Sequence, residues 1–536
     1  MKPTFGWSLD FTGTSRRLSA ILMVALLGSA FAIPGSALAA DLATADSLSS
    51  AASGSCAGSY DPDTDTLYRT TQYTGATAYW SAGYTGAGVD VAIIDTGVSP
   101  VEGLATPGKL IYGPDLSLES QSPAFRYLDT NGHGTFMAGI IAGKDSTLTA
   151  PYADAPASHF RGVAPDARIL SVKVGVADGG VDVSQVIAAI DWVVQHKTDN
   201  GMNIRVLNLS YGTDSTQAYT VDPLAFAIEQ AWKAGIFVVA ATGNEGFVAH
   251  AGSLTSPAYD PKIFAVGASD SMGTAGTCDD IVPAFSSTGS NSRTPDVVAP
   301  GTHIVSLRVP GSYIDQNYGP TGYVSDRFFR GSGTSAAAAF TSGEAALVIQ
   351  QRPAITPDQL KKLFLDSGRL LNGFSANKQG AGVVEMATML GTATINPPNA
   401  WKRISWSYGI GSLELSRGTD HLSDDGVLLT GERDIFGHAF NSAAMAILEA
   451  ARNSWSGGTW NGNSWSGNSW SGSSWSGNSW SGNSWSGNSW SGSSWSGNSW
   501  SGNSWSGSSW SGSSWSGSSW SGSSWSGSSW STGSWS

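Results

Sequence analysis

The sequence predicts an α/β fold in which a parallel β-sheet carries helices on both faces. Between about residues 68 and 389, short apolar runs typical of buried strands alternate with amphipathic stretches of helical spacing. In parallel sheets of this kind, sites form at the carboxyl ends of the strands. Asp95 directly follows the first apolar run, so we expect its side chain at that edge of the sheet.

The elements follow from these patterns in chain order. The predicted strands are Val89–Ile94, Arg168–Val174, Ile204–Leu209, Ile236–Ala240 and Ile263–Val266. Two amphipathic stretches between them, Val183–His196 and Pro223–Lys233, predict helices. Further on, the sequence predicts a few short strands between Gly411 and Phe440 and a short helix over Asn441–Arg452.

Composition divides the 536 residues into five segments. Basic residues, an apolar run and Ala37-Leu38-Ala39 predict a signal peptide over residues 1–39, so we expect a secreted or cell-surface protein without a membrane span in the mature chain. A short pro-segment or linker is expected over 40–67 and the main domain over 68–392. A linker with a small β-rich segment is expected over 393–453, and a low-complexity tail over 454–536.

Charge and cysteine content narrow the classes of partner and chemistry. The formal net charge is −13, which argues against nucleic-acid binding because that function needs clustered Lys and Arg. The two cysteines, Cys56 and Cys278, are far apart in sequence, and whether they pair is left open. Neither lies near the segments that carry the chemistry described next.

Three short segments supply a carboxylate, an imidazole and a hydroxyl in one order along the chain. They are AIIDTGV around Asp95, NGHGTFMAG around His133 and GSGTSAAAAF around Ser335. A serine becomes a good nucleophile when an imidazole takes its proton and a carboxylate orients that imidazole. Taken singly, these residues also fit a turn-capping aspartate, a structural histidine and a helix N-cap. Their occurrence together favours the catalytic interpretation.

A fourth segment, AATGNEG, follows a predicted strand and presents Asn244 between small residues. An asparagine amide is a neutral hydrogen-bond donor suited to the oxyanion of a tetrahedral intermediate. The alternative is an asparagine in a left-handed turn.

These segments resemble the subtilisin-like serine peptidases over roughly Tyr68 to Met389. The resemblance implies that Asp95 orients His133, that His133 is general base and acid, and that Ser335 attacks the scissile carbonyl. It further implies an oxyanion hole formed by Asn244 and the Ser335 backbone N–H. Ser210, Tyr211 and Gly212 would form a strand that binds extended polypeptide substrates through main-chain groups. The implied function is a secreted serine endopeptidase of broad specificity that acts through an acyl-enzyme.

The chain departs from the family pattern beside the nucleophile. The usual methionine and proline are replaced by Ala336 and Ala339, so we expect tolerance of peroxide and an altered start of the helix. The calcium-binding loop of the family is not recognisable, since Lys144–Arg161 has the character of a different insertion. Serine chemistry needs no metal; we therefore assign no metal and no cofactor, and leave structural calcium open.

In the tail, tryptophan recurs every fifth residue from Trp455 to Trp535 without any charged residue. Such tails resemble those of some actinobacterial relatives. One interpretation is a solenoid with a ladder of indoles. The other is a flexible chain that adheres to polysaccharide, cell wall or other copies of itself. We favour attachment or self-association over a passive spacer.

Two rival functions fit parts of the sequence. One is an inactive surface or adhesion protein built on a peptidase fold, against which the intact set of Asp95, His133, Ser335 and Asn244 argues. The other takes Asp95-Thr96-Gly97 as the signature of an aspartic peptidase. That chemistry needs two carboxylates sharing a proton, and no second Asp-Thr-Gly segment exists in the sequence.

Overall fold

The computed structural model describes residues 67–122, 125–246, 254–274, 276–424, 427–456 and 458–464, and five short strands beyond them. The predicted signal peptide, nearly all of the segment 40–67 and most of the tail lie outside the described residues. None of the helices in the described part of the chain is both long enough and apolar enough to cross a bilayer.

Eleven strands of the described main domain form a large sheet and a hairpin. They are β1 (Asp90–Asp95), β2 (Leu110–Asp115), β3 (Arg168–Lys173), β4 (Ile204–Leu209), β5 (Phe237–Ala241), β6 (Phe264–Ser269), β7 (Val297–Pro300), β8 (Ile304–Leu307), β9 (Phe328–Gly331), β10 (Gly368–Arg369) and β11 (Val383–Val384). The large sheet has the order β10-β11-β7-β6-β5-β4-β1-β3-β2. Its neighbours pair in parallel except β10 and β11, which are antiparallel. The hairpin is β8–β9.

The helices of the main domain connect and cover these strands. They are α1 (Leu67–Tyr73), α2 (Ala76–Ser81), α3 (His133–Ala142), α4 (Val183–His196), α5 (Pro223–Lys233), α6 (Tyr313–Gly322), α7 (Thr334–Gln351), α8 (Pro357–Asp366), α9 (Ala376–Gln379) and α10 (Met386–Gly391). Helices α3 and α7 pack on each other and on the sheet, and α4 and α5 form a second such pair. Every residue of β1, β5, β6 and β7 is buried, so both faces of the sheet are covered.

The α/β prediction is confirmed, and the helix bounds show why. Helix α4 begins after Asp182, whose carboxylate accepts from the Ser184 backbone N–H in a capping box, and α5 begins after the cap Asp222 with a proline in its first turn. Both helices have the predicted bounds. Helix α3 begins at His133 itself, and α7 includes the whole small-residue run that follows Ser335.

The segment after the main domain contains more helix than the sequence indicated. It forms α11 (Leu413–Arg417), the two-residue strands β12 (Ser423–Asp424) and β13 (Val427–Leu428), and α12 (Ser442–Ala450). Ser412 and Asn441 cap the two helices through their side chains, a local signal that favours helix over strand. Helix α11 packs on α4 and α5, and α12 packs on α5.

The first repeats of the tail continue this contact. Strands β14 (Trp455–Ser456), β15 (Thr459–Trp460) and β16 (Asn463–Ser464) pair antiparallel, and β14 contacts α4. The later strands are β17 (Ser469–Gly472), β18 (Asn478–Gly482), β19 (Asn488–Gly492), β20 (Ser501–Gly502) and β21 (Ser509–Gly512). They pair in parallel, with Trp470 opposite Trp480 in register.

Candidate active site

Asp95 and His133 form a buried hydrogen-bonded pair. Asp95 is the last residue of β1, and His133 is the first residue of α3. His133 Nδ1 lies 2.8 Å from Asp95 Oδ1 and 3.0 Å from Oδ2, and both side chains are at most 1 % exposed. A carboxylate in this position fixes the ring orientation and favours the proton on Nδ1. The other ring nitrogen, Nε2, is buried without a hydrogen-bond partner among the described residues.

Close backbone approach brings these two residues together. The Thr96 N–H donates to Asp95 Oδ1 at 2.7 Å, and the Gly134 N–H donates to Thr96 Oγ1 at 3.0 Å. A Cβ on Gly134 would lie only 2.0 Å from the Gly97 carbonyl oxygen. The glycine after His133 is therefore required by the packing of α3 against the end of β1.

A second buried carboxylate, Asp129, hydrogen-bonds both to the loop after β1 and to the start of α3. Its Oδ1 accepts from Thr96 Oγ1 at 2.8 Å and from the Gly132 N–H at 2.7 Å, and its Oδ2 accepts from the Thr135 N–H at 2.7 Å. Burial raises the pKa of Asp129, and these hydrogen bonds oppose that increase. Asp129 is not among the site residues predicted from the sequence. Its signal was an acidic side chain just ahead of a predicted helix start.

Ser335 is the second residue of α7, which starts after Gly333. Ser335 and His133 line the same pocket, together with Gly132, Gly333 and Ala336. The structure thus brings together the three residue types that the sequence predicted as catalytic. The Ser335 N–H lies in the first turn of α7, where backbone donors have no partner within the helix.

Asn244 lies next to the start of the same helix. Its Oδ1 accepts from the Thr334 N–H at 2.9 Å and from Thr334 Oγ1 at 3.0 Å. These bonds fix the amide orientation and put its nitrogen near Gly333, where a Cβ would lie 3.6 Å from Nδ2. The amide is therefore held beside the first turn of α7, and its role in an oxyanion hole stays a prediction.

The three residues expected to bind substrate follow β4. The Ser210 hydroxyl donates to the Ser335 carbonyl oxygen at 3.2 Å, which ties this segment to α7. Gly212 packs against Thr255, with a hypothetical Cβ only 2.6 Å from Thr255 Oγ1. The Tyr211 side chain is 2 % exposed, and burial beside Asp182 and Asp420 raises the pKa of its hydroxyl well above the usual value. The Tyr211 side chain is therefore part of the protein interior.

The two departures from the family pattern lie in the first turns of α7. Ala336 lines the pocket beside Ser335, and Ala339 is fully buried. A methionine is nevertheless present nearby, because Met137 of α3 lines the same pocket at 3 % exposure.

Two further predictions concern ligands and cysteines. Within the described ranges, no group of three or more His, Cys, Asp or Glu residues is arranged to hold a metal ion. Lys144 and Arg161, the ends of the predicted insertion, form an isolated antiparallel bridge. Cys278 is disulfide-bonded; Cys56, the other cysteine of the sequence, lies outside the described residues.

Comparison with known proteins identifies relatives for this architecture. The sequence model of the Subtilase family matches residues 86–382. Serine protease AprX of Bacillus subtilis is 37 % identical over 306 residues, which span 56 % of this chain and 65 % of AprX. Subtilisin Savinase of Lederbergia lenta is 32 % identical over 309 residues, which span 58 % of this chain and 93 % of Savinase.

The relatives differ in how much of their own length this chain matches. Minor extracellular protease Epr of Bacillus subtilis is 30 % identical over 283 residues, but these span only 35 % of Epr. The chain thus matches less than two thirds of AprX and about a third of Epr, whereas it matches nearly all of Savinase. The matched regions contain β1, α3 and the start of α7, which carry the candidate site. This chain therefore belongs to the subtilase family.

Proposed function

We propose that the chain is a serine endopeptidase that hydrolyses peptide bonds through Asp95, His133 and Ser335. One observation carries the proposal: the buried Asp95–His133 pair has its second ring nitrogen unpartnered within the described chain, and His133 lines one pocket with Ser335. A ring held on one side by a carboxylate is suited to take a proton on the other side. Membership of the subtilase family supports the same reaction class.

The proposed reaction has two halves. His133 takes the proton of Ser335 Oγ as that oxygen attacks the peptide carbonyl, and Asn244 with the Ser335 N–H donates to the oxyanion. His133 then protonates the leaving amine, and the acyl group stays on Ser335. Water repeats the sequence and releases the acid. An extended polypeptide would bind along Ser210–Gly212 through main-chain hydrogen bonds, so we expect broad specificity.

We also propose that the protein is exported and that its tail attaches it to cell wall, to polysaccharide or to other copies of the same protein. Export is supported by the signal-peptide pattern of residues 1–39, and one relative is named an extracellular protease. Attachment is supported by the regular tryptophans of the tail, since many indoles on a charge-free chain form an adhesive surface. Retention of the purified tail on cell-wall polysaccharide would test this part separately.

Digestion of a mixed peptide library tests the peptidase proposal. The wild type should cleave many peptides, and Ser335→Ala should cleave none above background while keeping the same melting temperature. Ser292→Ala, an exposed serine far along the chain from the site, is the matched control and should behave as wild type. An inactive wild-type protein would favour the rival, a surface protein built on a peptidase fold.

A further inference from the structure

Residues 416–422, which we name the bridging segment, contact two stretches of chain that flank the candidate active site. Strand β1 lies between β3 and β4 in the sheet and ends at Asp95. The stretches that follow β3 and β4 are residues 174–182 and 210–217, so they lie on opposite sides of that end of β1. The bridging segment itself lies outside residues 86–382, which the model of the Subtilase family matches.

On the β4 side, the bridging segment is hydrogen-bonded to the two residues that directly follow Ser210–Gly212. Thr213 Oγ1 donates to the Ser416 carbonyl oxygen at 2.6 Å. The Thr419 N–H donates to Asp214 Oδ1 at 2.7 Å, and the Thr419 hydroxyl donates to Asp214 Oδ2 at 2.5 Å. Because both oxygens of one carboxylate are bound by a single residue, this contact fixes direction as well as distance.

A glycine allows the bridging segment to approach this closely. Gly418 caps the C-terminal end of α11 with a φ of 65°, and a Cβ there would lie 2.0 Å from Asp214 Oδ1. The preceding helix is held at the same place, since the Ser416 hydroxyl donates to Asp222 Oδ1 at 2.9 Å. Asp222 is the N-cap of α5, so the bridging segment is tied both to the stretch after β4 and to a core helix.

On the β3 side, the bridging segment binds the start of α4. Arg417 Nε donates to Asp182 Oδ2 at 2.6 Å, and one amino group donates to Oδ1 at 3.3 Å, with both side chains 1 % exposed. The other amino group donates to the Gly431 carbonyl oxygen at 2.8 Å. Leu422 packs on Gly180, where a Cβ would lie 3.3 Å from Leu422 Cδ2. A buried guanidinium bound in this way has a fixed orientation, so the β3 side is a rigid anchor.

The stretch after β3 also contacts the loops that carry the carboxylate–imidazole pair. Asn131 Nδ2 donates to the Ala177 carbonyl oxygen at 2.7 Å. Gly175 lies against Thr96, since a Cβ there would be 2.8 Å from Thr96 Cγ2. The bridging segment therefore joins a stretch that contacts these loops to the stretch that is expected to bind substrate.

We propose that Thr419 is a positioning residue for substrate binding: anchored through Arg417, it holds Asp214 and thereby sets the position of Ser210–Gly212 relative to the catalytic pair. The inference rests on the proposed function. A long peptide that binds through main-chain groups depends on this position, because hydrogen bonds weaken steeply when they are misaligned. A short substrate uses little of Ser210–Gly212. Thr419 therefore contributes to the binding of long substrates and not to the acyl-transfer chemistry.

Two ester substrates with the same residue before the cleaved bond separate binding from chemistry. The short ester has that one acylated residue, and the long ester has three further residues on its acyl side. The kcat and KM of both are measured for the wild type and for Thr419→Val, which lacks the hydroxyl. In Thr419→Val, the advantage of the long ester in kcat/KM should fall about three- to ten-fold through a higher KM, as loss of one charge-assisted hydrogen bond implies. Hydrolysis of the short ester should stay within about two-fold of the wild type.

Three further variants define the source of the effect. Thr419→Ser keeps the hydroxyl and should keep the advantage of the long ester. Arg417→Lys keeps the charge but loses the two-point contact with Asp182, so it should lower the advantage as Thr419→Val does. In Asp214→Ala the partner is gone, and adding Thr419→Val should cause no further loss. Thr394→Val, at an exposed threonine, is the matched control and should behave as wild type.

The outcomes separate this inference from the proposed function. The inference would be overturned by a wild type that gains nothing from the longer ester, by an unchanged advantage in Thr419→Val, by an equal loss on both esters, or by additive losses with Asp214→Ala. Each of these results leaves the peptidase proposal intact. Absence of ester hydrolysis in the wild type would instead refute the proposed function, and this inference with it.

Discussion

Asp129 holds the start of α3 in place, and Asp95 contacts the imidazole itself. Three of the groups that bind Asp129 belong to Thr96, Gly132 and Thr135, so this one carboxylate connects the loop after β1 to both sides of His133. A buried carboxylate is costly unless hydrogen bonds compensate its lost hydration. We therefore regard Asp129 as a positioning residue: it fixes geometry and does not contact the reacting atoms.

Asp129→Asn tests this role. The amide keeps the size of the side chain, but its nitrogen cannot accept, so at least one of the bonds from Thr96, Gly132 or Thr135 is lost. Misplacement of the imidazole should lower kcat/KM on a peptide ester by about 10- to 100-fold. The pH midpoint of kcat/KM should also move, because the Asp95–His133 contact changes. Asp199→Asn, at an exposed aspartate, is the control; an unchanged pH midpoint in Asp129→Asn would indicate a purely structural role.

Exposure to peroxide tests the effect of Ala336, which stands beside Ser335 where the family usually has methionine. Ala336 offers no thioether, and the methionine that lines the pocket, Met137, is nearly fully buried. Ester hydrolysis should therefore persist in peroxide, and Ala336→Met should make it sensitive. Activity and peptide mass are measured together over time. Rapid loss of wild-type activity that tracks sulfoxide formation at Met137 would contradict the prediction.

Helix α4 binds the first repeats of the tail through two indole hydrogen bonds. Trp455 Nε1 donates to the Ala188 carbonyl oxygen at 2.8 Å, and Trp460 Nε1 donates to Asp191 Oδ2 at 2.7 Å. Asp191 is buried in this contact, and burial raises its pKa to about 7. Glu449 of α12 is a second buried carboxyl, whose pKa is raised by burial and by Asp191. Protonation of these carboxyls therefore favours the contact between α4 and the C-terminal segment.

The pH dependence of stability tests this contact. Asp191 has a folded pKa of about 7 against an ordinary value of 3.8, so its contribution is fully present below about pH 4 and is lost as pH rises to 7. Asp191→Asn cannot ionise and still accepts from Trp460. It should therefore raise the melting temperature more at pH 8 than at pH 4. The same shift at both values would contradict the assignment, and Asp199→Asn should show no shift at either.

At the scale of the whole molecule, residues 393–464 belong structurally with the main domain. Arg417 and Asp182 form an ion pair with both side chains 1 % exposed, and the Ser407 N–H donates to Glu229 of α5. The apolar contribution is also large, since Trp460 is fully buried and Leu413 is buried with it in the core. The family match ends at residue 382, and the segment from 393 onward packs on α4 and α5.

Truncated chains test whether residues 393–464 stabilise the main domain. A chain that ends at residue 464 should melt at nearly the same temperature as the full chain. A chain that ends at 392 should melt at least about 5 °C lower, because it loses several large buried side chains worth ~1.5–3 kcal/mol each. Calorimetry of the two truncated proteins gives the comparison. Equal melting temperatures would mean that the segment contributes no net stability.

Local patterns predicted much of the fold. The bounds of α4 and α5 followed from amphipathic spacing, in agreement with the caps Asp182 and Asp222 that the structure shows, and the buried strands followed from continuous apolar runs. Such local patterns could not predict contacts between segments that are far apart in the sequence. The hydrogen bond from Thr96 to Asp129 joins residues of two separate segments, and the Asp191–Trp460 bond joins residues 269 positions apart. Likewise, the burial of Tyr211 depends on a C-terminal segment whose packing no periodicity indicates.

The central claim is that Ser335 is a nucleophile activated by His133. The most direct measurement is the intact mass of the protein after exposure to a serine-directed fluorophosphonate, followed by mapping of the labelled peptide. We expect one adduct per chain, on Ser335, with none in Ser335→Ala and much slower labelling in His133→Ala. An unlabelled wild type, or an adduct that persists in Ser335→Ala, would contradict the account.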